Sequence, residues 1–110
     1  MIKIGFGTWA WGNQILWGYN SKKEDALLKE TFIKAVYGGL TLIDTADSYG
    51  TGFLNGQSES LLGKFINELP ANKIREINIA TKLAPYPWRL GRKGFQNAFL
   101  ASQKRLKGHL

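Results

Sequence analysis

Three polar side chains with complementary chemistry follow apolar segments of this sequence. Asp44 comes directly after a short apolar run, Tyr49 lies five residues later in a glycine-rich loop, and Lys82 ends the segment INIATK. A tyrosine has a pKa of about 10, so it holds its proton at neutral pH. A lysine ammonium nearby favours the tyrosinate, and an aspartate can keep that lysine charged and in place. Together the three residues could act as a tuned general acid that protonates a substrate oxygen.

These residue types also have ordinary structural uses, because aspartate is common in turns, loop tyrosines pack and strand-end lysines reach solvent. The catalytic interpretation therefore requires a fold that brings the three side chains together. Apolar segments predict β-strands over residues 2–6, 40–43 and 74–81. Helical periodicity predicts helices that begin near residues 21, 58 and 94, between and after these strands.

Local signals mark where the helices begin and end. Ser21 and Glu24 have the spacing of a capping box, in which each side chain satisfies a free backbone N–H at the helix start. Ser58 is predicted to cap the second helix, and Pro70 is predicted to close it. Gly108 is placed to end the third helix.

The resulting order, β-α-β-α-β-α, predicts an α/β fold with parallel strands and helical crossovers. Two architectures agree with this order, an open doubly wound sheet and part of an eight-stranded barrel. In a barrel, all strands point their carboxyl ends to one face, where catalytic residues lie. Asp44 and Lys82 would then be neighbours in space although 38 residues separate them.

A dinucleotide-binding Rossmann domain is an alternative, because GFGTWA places Gly5, Gly7 and Ala10 in the spacing G-x-G-x-x-[GA]. That motif functions when a tight turn brings a helix N-terminus onto the pyrophosphate. Here the first long predicted helix begins only near Ser21. Asp44 also lies 34 residues beyond Ala10, whereas the motif expects an acidic residue about 20 residues on. Both observations disfavour the Rossmann interpretation.

Composition limits the partners. The net charge of +7 is uneven, since nine of the 15 Lys and Arg residues lie in residues 73–110, where Glu76 is the only acid. Such a segment can bind nucleic acid, but no nucleic-acid motif accompanies it, and a solvated helix face explains it more simply. The sequence has no long apolar run for a membrane span and no cysteine. We therefore predict a cytoplasmic protein with no membrane, nucleic-acid or metal partner.

Four segments in register identify a family resemblance: GFGTWAWG, GGLTLIDTADSYG, GQSESLLGKF and INIATK. From Gly5 to about Leu110 the chain resembles the N-terminal part of the aldo-keto reductase family. The resemblance implies a (β/α)8 TIM barrel that reduces aldehydes and ketones to alcohols with NADPH. Its partner would be a small-molecule carbonyl substrate.

The resemblance also assigns roles to residues. Tyr49 would be the general acid, and Lys82 and Asp44 would be the pair that tunes it. Gly7, Thr8 and Trp9 would lie beside the nicotinamide, with Asp44 also facing the cofactor. His109 is not expected to replace the family's catalytic histidine, because it follows the third helix and therefore lies at the opposite face of the barrel.

Two departures from the family affect what can be carried over. The stretch TGFLNGQ after Tyr49 is longer than in many members, which could reshape the substrate pocket. An eight-unit barrel needs at least about 200 residues, so 110 residues correspond to about three of eight βα units. Residues 1–110 are thus predicted to be one partial domain that is inactive by itself. A truncated, non-catalytic relic or an interaction fragment is the alternative.

Overall fold

The computed structural model describes residues 2–110 and contains one parallel sheet of three short strands. The strands are β1 (Gly5–Gly7), β2 (Leu42–Asp44) and β3 (Asn78–Ala80), in that spatial order. Phe6 lies opposite Ile43, which in turn lies opposite Ile79. Each connection between strands contains helices, which is why the strands are parallel. The structure therefore has the predicted parallel α/β arrangement, with shorter strands than the apolar segments indicated.

Within residues 2–110, five helices and one short 3₁₀ turn connect or follow these strands. The helices are α1 (Gln14–Trp17), α2 (Ser21–Tyr37), α3 (Gln57–Asn67), α4 (Ala71–Ile74) and α5 (Gly91–Arg105), and the 3₁₀ turn is Gly52–Leu54. The sequence predicted α2, α3 and α5. It missed α1, α4 and the 3₁₀ turn, because helical periodicity cannot be recognised in three or four residues.

The helix caps differ from the predicted ones by one or two residues. Asn20, and not Ser21, caps α2, because its side chain accepts a hydrogen bond from the backbone N–H of Lys22 at 3.1 Å. Glu24 does reach back as a capping box requires, and accepts from the backbone N–H of Asn20 at 3.3 Å. The cap of α3 is Gly56, at a φ of 82° that favours glycine. Ser58 lies inside that helix, and its hydroxyl contacts Thr8 and Thr45 instead of capping the helix.

The segment around β3 also differs from the prediction. Pro70 follows the end of α3 as expected, but it also precedes the short helix α4, so the strand is confined to Asn78–Ala80. Helix α5 begins at Gly91, three residues earlier than predicted. After its end, Gly108 has a φ of 80° and donates its N–H to the carbonyl of Gln103 at 2.9 Å. This closes the last turn at the predicted glycine.

The core lies between one face of the sheet and helices α2 and α3. Its fully buried apolar side chains include Phe32, Val36, Ile43, Leu62 and Ile66. Each contributes about 1.5–3 kcal/mol relative to an exposed side chain. Aromatic rings tie α2 to α3, as the ring centroids of Phe32 and Phe65 are 5.9 Å apart.

Helix α5 approaches α3 closely at Gly63. A Cβ atom at that position would lie 2.3 Å from the carbonyl oxygen of Arg105, so any side chain there would push the helices apart. The contact buries Leu106 completely.

The sheet remains open at both sides within residues 2–110. There, β1 and β3 each pair with β2 alone, so the outer edge of each has no strand beside it. Leu42, on the sheet face away from the helices, is exposed. No helix in the described part of the chain is long and apolar enough to cross a membrane.

Candidate active site

The carboxyl ends of the three strands meet at one edge of the sheet. Gly7 ends β1, Asp44 ends β2, and the two are register partners. Lys82 follows β3 by two residues, and Tyr49 lies in the loop between β2 and α3. The parallel topology therefore brings together side chains that come from three separate parts of the sequence.

Asp44 and Lys82 form a bidentate ion pair. The Lys82 Nζ atom donates to Asp44 Oδ1 and Oδ2 at 2.7 and 2.8 Å, and to the carbonyl oxygen of Thr45 at 2.8 Å. Partial burial alone would lower the pKa of Lys82, but its contacts with Asp44 and Tyr49 raise that pKa above the ordinary value of 10.5. Lys82 is therefore a fixed positive charge at neutral pH.

Tyr49 lies beside this charge. The Lys82 Nζ atom is 5.2 Å from the centre of the Tyr49 ring, and the tyrosine is half-buried. Its backbone is held on both sides, since its N–H donates to the carbonyl of Ala46 at 3.2 Å and its carbonyl accepts from the N–H of Ser58 at 3.3 Å. The structure thus brings the predicted trio together in one place, with the phenol next to a cation.

The four residues predicted to face a cofactor divide into exposed and buried ones. Gly7, Trp9 and Asp44 are exposed, and a Cβ atom at Gly7 would meet nothing within 4 Å. A flat ring can therefore approach the backbone at Gly7, which fits a nicotinamide. Thr8 is fully buried, and its hydroxyl donates to Thr45 Oγ1 at 2.9 Å. Its side chain therefore packs inside the protein against Thr45, where a cofactor cannot reach it.

Thr8, Thr45 and Ser58 form a buried hydroxyl network that the sequence interpretation missed. All three side chains are fully buried. Ser58 Oγ lies 2.9 Å from the carbonyl oxygen of Thr8, 2.6 Å from Thr8 Oγ1 and 3.3 Å from Thr45 Oγ1. The network connects α3 with the ends of β1 and β2. The serine was recognised in the sequence, but only as a helix cap.

Glu59 is a second buried polar residue in the first turn of α3. Its carboxylate is fully buried, with Oε1 accepting from Thr81 Oγ1 at 2.6 Å and Oε2 accepting from Arg105 Nε at 2.7 Å. The guanidinium compensates the desolvated charge, as a buried carboxylate requires. Through this carboxylate, α3 is connected both to the residue preceding Lys82 and to α5.

Asp47 connects the loop that carries Tyr49 with the loop after β3. Its Oδ1 atom accepts from the N–H of Ala84 at 3.0 Å, and its Oδ2 atom forms an ion pair with Arg89 Nη1 at 2.6 Å. The Arg89 guanidinium lies over the ring of Tyr86, 4.8 Å from its centre, and Tyr86 stacks on Trp88 with a centroid distance of 4.5 Å. These contacts fix aromatic side chains near the same sheet edge.

His109 is not part of the site. It follows the carboxyl end of α5, which the βα topology places at the opposite end of the sheet from Asp44 and Lys82. No group of three or more His, Asp or Glu side chains within residues 2–110 is arranged to hold a metal ion.

Similarity to known proteins agrees with this geometry. Residues 3–109 match the model of the aldo/keto reductase family. The chain is 57% identical over 106 residues to pyridoxal reductase, chloroplastic, of Arabidopsis thaliana. This match covers 94% of this chain and 29% of that protein. It is 32% identical over 74 residues to the NADH-specific methylglyoxal reductase of Escherichia coli (strain K12), covering 67% of this chain and 21% of that one.

A solved structure gives the same result. The thermostable aldo-keto reductase Tm1743, in complex with the inhibitor epalrestat, superimposes with a TM-score of 0.73 at 28% identity. The match covers 97% of this chain and 35% of that one. The chain thus spans about a third or less of the length of the proteins that it matches here.

Proposed function

The chain belongs to the aldo/keto reductase family, and from this premise we propose that the protein containing it reduces a small aldehyde or ketone to an alcohol. The observation that carries the proposal is the position of Lys82 Nζ, 2.7 Å from Asp44 Oδ1 and 5.2 Å from the centre of the Tyr49 ring. A phenol beside a fixed ammonium suits proton donation to a carbonyl oxygen.

In this mechanism, Tyr49 is the general acid. As a hydride adds to the carbonyl carbon, negative charge develops on the carbonyl oxygen, and the phenol donates its proton there. The alcohol that forms carries the phenolic proton on oxygen. Lys82 stabilises the negative charge left on the tyrosine oxygen, and Asp44 keeps the ammonium oriented. The phenol must then regain a proton from solvent before the next turnover.

A reduced nicotinamide dinucleotide, when bound, supplies the hydride. Gly7, Trp9 and Asp44 would hold its ring, because they are the exposed members of the predicted set at this sheet edge. We propose NADPH on the basis of the family resemblance. Since one relative is named as NADH-specific, rates measured with both dinucleotides are the direct test of this choice.

For the substrate, we propose an aromatic aldehyde of the pyridoxal kind. The 57% identity to a plant protein named pyridoxal reductase supports this choice. So does the aromatic character of the connections that follow the strands, where Trp9, Trp17 and Trp88 are all more than half exposed. Flat aromatic side chains favour ligands with planar rings.

Residues 1–110 are proposed to be the N-terminal part of one barrel domain, with α3 and α5 on its outer surface. The cytoplasmic location stays a prediction. The plant relative is named as chloroplastic, so the chloroplast is the second candidate. Imaging of the full-length protein fused at its carboxyl end to a fluorescent protein would distinguish the two compartments.

The test is carbonyl reduction by the full-length protein, with pyridoxal as substrate and loss of NADPH absorbance as readout. We expect Tyr49→Phe to lower kcat by about 10²–10⁴-fold, the usual contribution of general acid catalysis. The dissociation constant for NADPH should change little, because only the phenolic hydroxyl is removed. Tyr37→Phe is the matched control, since Tyr37 is an exposed residue of α2. A Tyr49→Phe variant that keeps more than about a tenth of the rate would contradict the assignment.

A further inference from the structure

We propose that Ser58 and Glu59, which are consecutive residues in the first turn of α3, are positioning residues that set the separation of Tyr49 from Lys82. The inference rests on the proposed function, because it concerns the same site. Neither side chain touches the predicted reacting atoms. Each is fully buried and bonds a residue next to the trio: Ser58 contacts Thr45, which follows Asp44, and Glu59 accepts from Thr81, which precedes Lys82.

Ser58 holds the β1 and β2 side of the site. Its hydroxyl contacts the Thr8 carbonyl and hydroxyl at 2.9 and 2.6 Å and the Thr45 hydroxyl at 3.3 Å. Thr45 directly follows Asp44, and its carbonyl accepts from Lys82 Nζ at 2.8 Å. The backbone N–H of Ser58 also donates to the carbonyl of Tyr49 at 3.3 Å. Ser58 therefore contacts both the backbone of Tyr49 and the side chain of Thr45, which lies next to the Asp44–Lys82 ion pair.

Glu59 holds the β3 side. Consecutive residues of an α-helix point about 100° apart, so this side chain extends away from that of Ser58 and reaches the hydroxyl of Thr81 at 2.6 Å. Thr81 directly precedes Lys82. The second carboxylate oxygen is held by Arg105 at 2.7 Å, so α5 fixes the orientation of the carboxylate.

The first turn of α3 thus contacts all three strand ends, and the distance between Tyr49 and Lys82 depends on it. A displacement of about 1 Å at a catalytic group can cost about 10²-fold in rate. The deletion of one of these hydroxyls should therefore reduce kcat, and it should do so without removing any group that contacts the substrate.

The test uses the full-length protein and compares Thr81→Val with Thr81→Ser. Valine removes the hydroxyl that Glu59 holds, whereas serine keeps it. We expect Thr81→Val to lower kcat at least about tenfold and to shift the pH–rate profile, because the phenol and the ammonium move apart. Thr81→Ser should retain the wild-type profile. Thr41→Val is the matched control, because Thr41 directly precedes β2 and so lies at the other end of that strand from Asp44.

Ser58→Ala and its control Ser60→Ala test the other side of the site in the same assay. Ser60 lies in the same helix, and its hydroxyl donates to the carbonyl of Gly56 at 3.2 Å. If Ser58→Ala fails to fold in a thermal melt, the two Thr81 variants decide the question.

The proposal is overturned if Thr81→Val has a wild-type kcat and pH profile while Tyr49→Phe is inactive. It is also overturned if Thr81→Ser is as impaired as Thr81→Val, because the methyl group and not the hydroxyl would then matter. If Tyr49→Phe itself keeps its rate, the proposed function fails first, and the two failures are distinguishable.

Discussion

Replacement of Lys82 by methionine tests whether the fixed positive charge assists proton donation. Methionine has a similar length and no charge, so it removes the ammonium and leaves most of the packing. The negative charge that develops on the Tyr49 oxygen then loses its nearest cation. Asp44 is also left without its partner, and its carboxylate opposes that negative charge. Both effects should slow carbonyl reduction.

The magnitude follows from the distance and the exposure. The Lys82 Nζ atom lies 5.2 Å from the centre of the Tyr49 ring, and two unit charges about 5 Å apart interact with about 3 kcal/mol at an effective dielectric constant of about 20, and with about 0.8 kcal/mol in bulk water. The Lys82 side chain is 51% exposed, so solvent screens part of the interaction. We therefore expect a loss of about 1–2 kcal/mol, which corresponds to a kcat that is about 5–30-fold lower.

The assay is steady-state reduction of pyridoxal by the full-length protein at low and high ionic strength. Added salt should reduce the difference between wild type and Lys82→Met, because a half-exposed charge is screened. Lys64→Met is the control, since Lys64 is exposed on α3. A Lys82→Met variant with a wild-type melting temperature and less than about a twofold loss in kcat would refute the reasoning. Even the interaction energy in bulk water predicts a larger loss in kcat than that.

Three further predictions concern stability and the isolated chain. Burial, followed by its hydrogen bond to Asp25, raises the pKa of Tyr19 from 10.0 to about 12. Stability should therefore be intact below pH 10 and fall by up to about 2–3 kcal/mol as pH rises through about 12, a loss absent in Tyr19→Phe when denaturant unfolding is followed against pH. Arg89→Met leaves the buried Asp47 carboxylate unpaired and should cost about 3 kcal/mol in a thermal melt, whereas Arg92→Met should not. Expressed alone, the 110-residue chain should neither reduce carbonyls nor elute as a monomer in size-exclusion chromatography, because both sheet edges are open.

The meeting of Asp44 with Lys82 could be predicted from the sequence because it depends only on topology. Two apolar strands that run parallel, joined by a helical crossover, must end at the same edge of the sheet. When the two strands are adjacent, the polar residues at their ends are therefore neighbours, and this does not depend on the details of side-chain packing. For the same reason, Tyr49 could be placed near the pair from its position in the loop after β2.

The supporting contacts could not be predicted, because they depend on three-dimensional packing. Ser58 precedes an apolar stripe, and a serine there serves equally well as a cap or as a buried hydroxyl. The choice depends on the backbone of Gly56, which adopts a positive φ and so moves the helix start. The contact of Thr8 could not be predicted either, because the pattern of apolar residues around it does not show that its hydroxyl points inward to Thr45. Pro70 shows that one sequence signal can have two meanings, because the same proline ends one helix and precedes the next.

The open outer edge of β3 also has a consequence while the protein is being synthesised. β3 is complete at Ala80, and no further strand forms within residues 81–110. A ribosome adds about 5–20 residues per second, so this segment takes about 1.5–6 s to emerge. Throughout that interval the backbone N–H and C=O groups along the edge have no strand partner and can pair with another nascent chain. A chaperone that binds extended apolar segments would have to act within those few seconds.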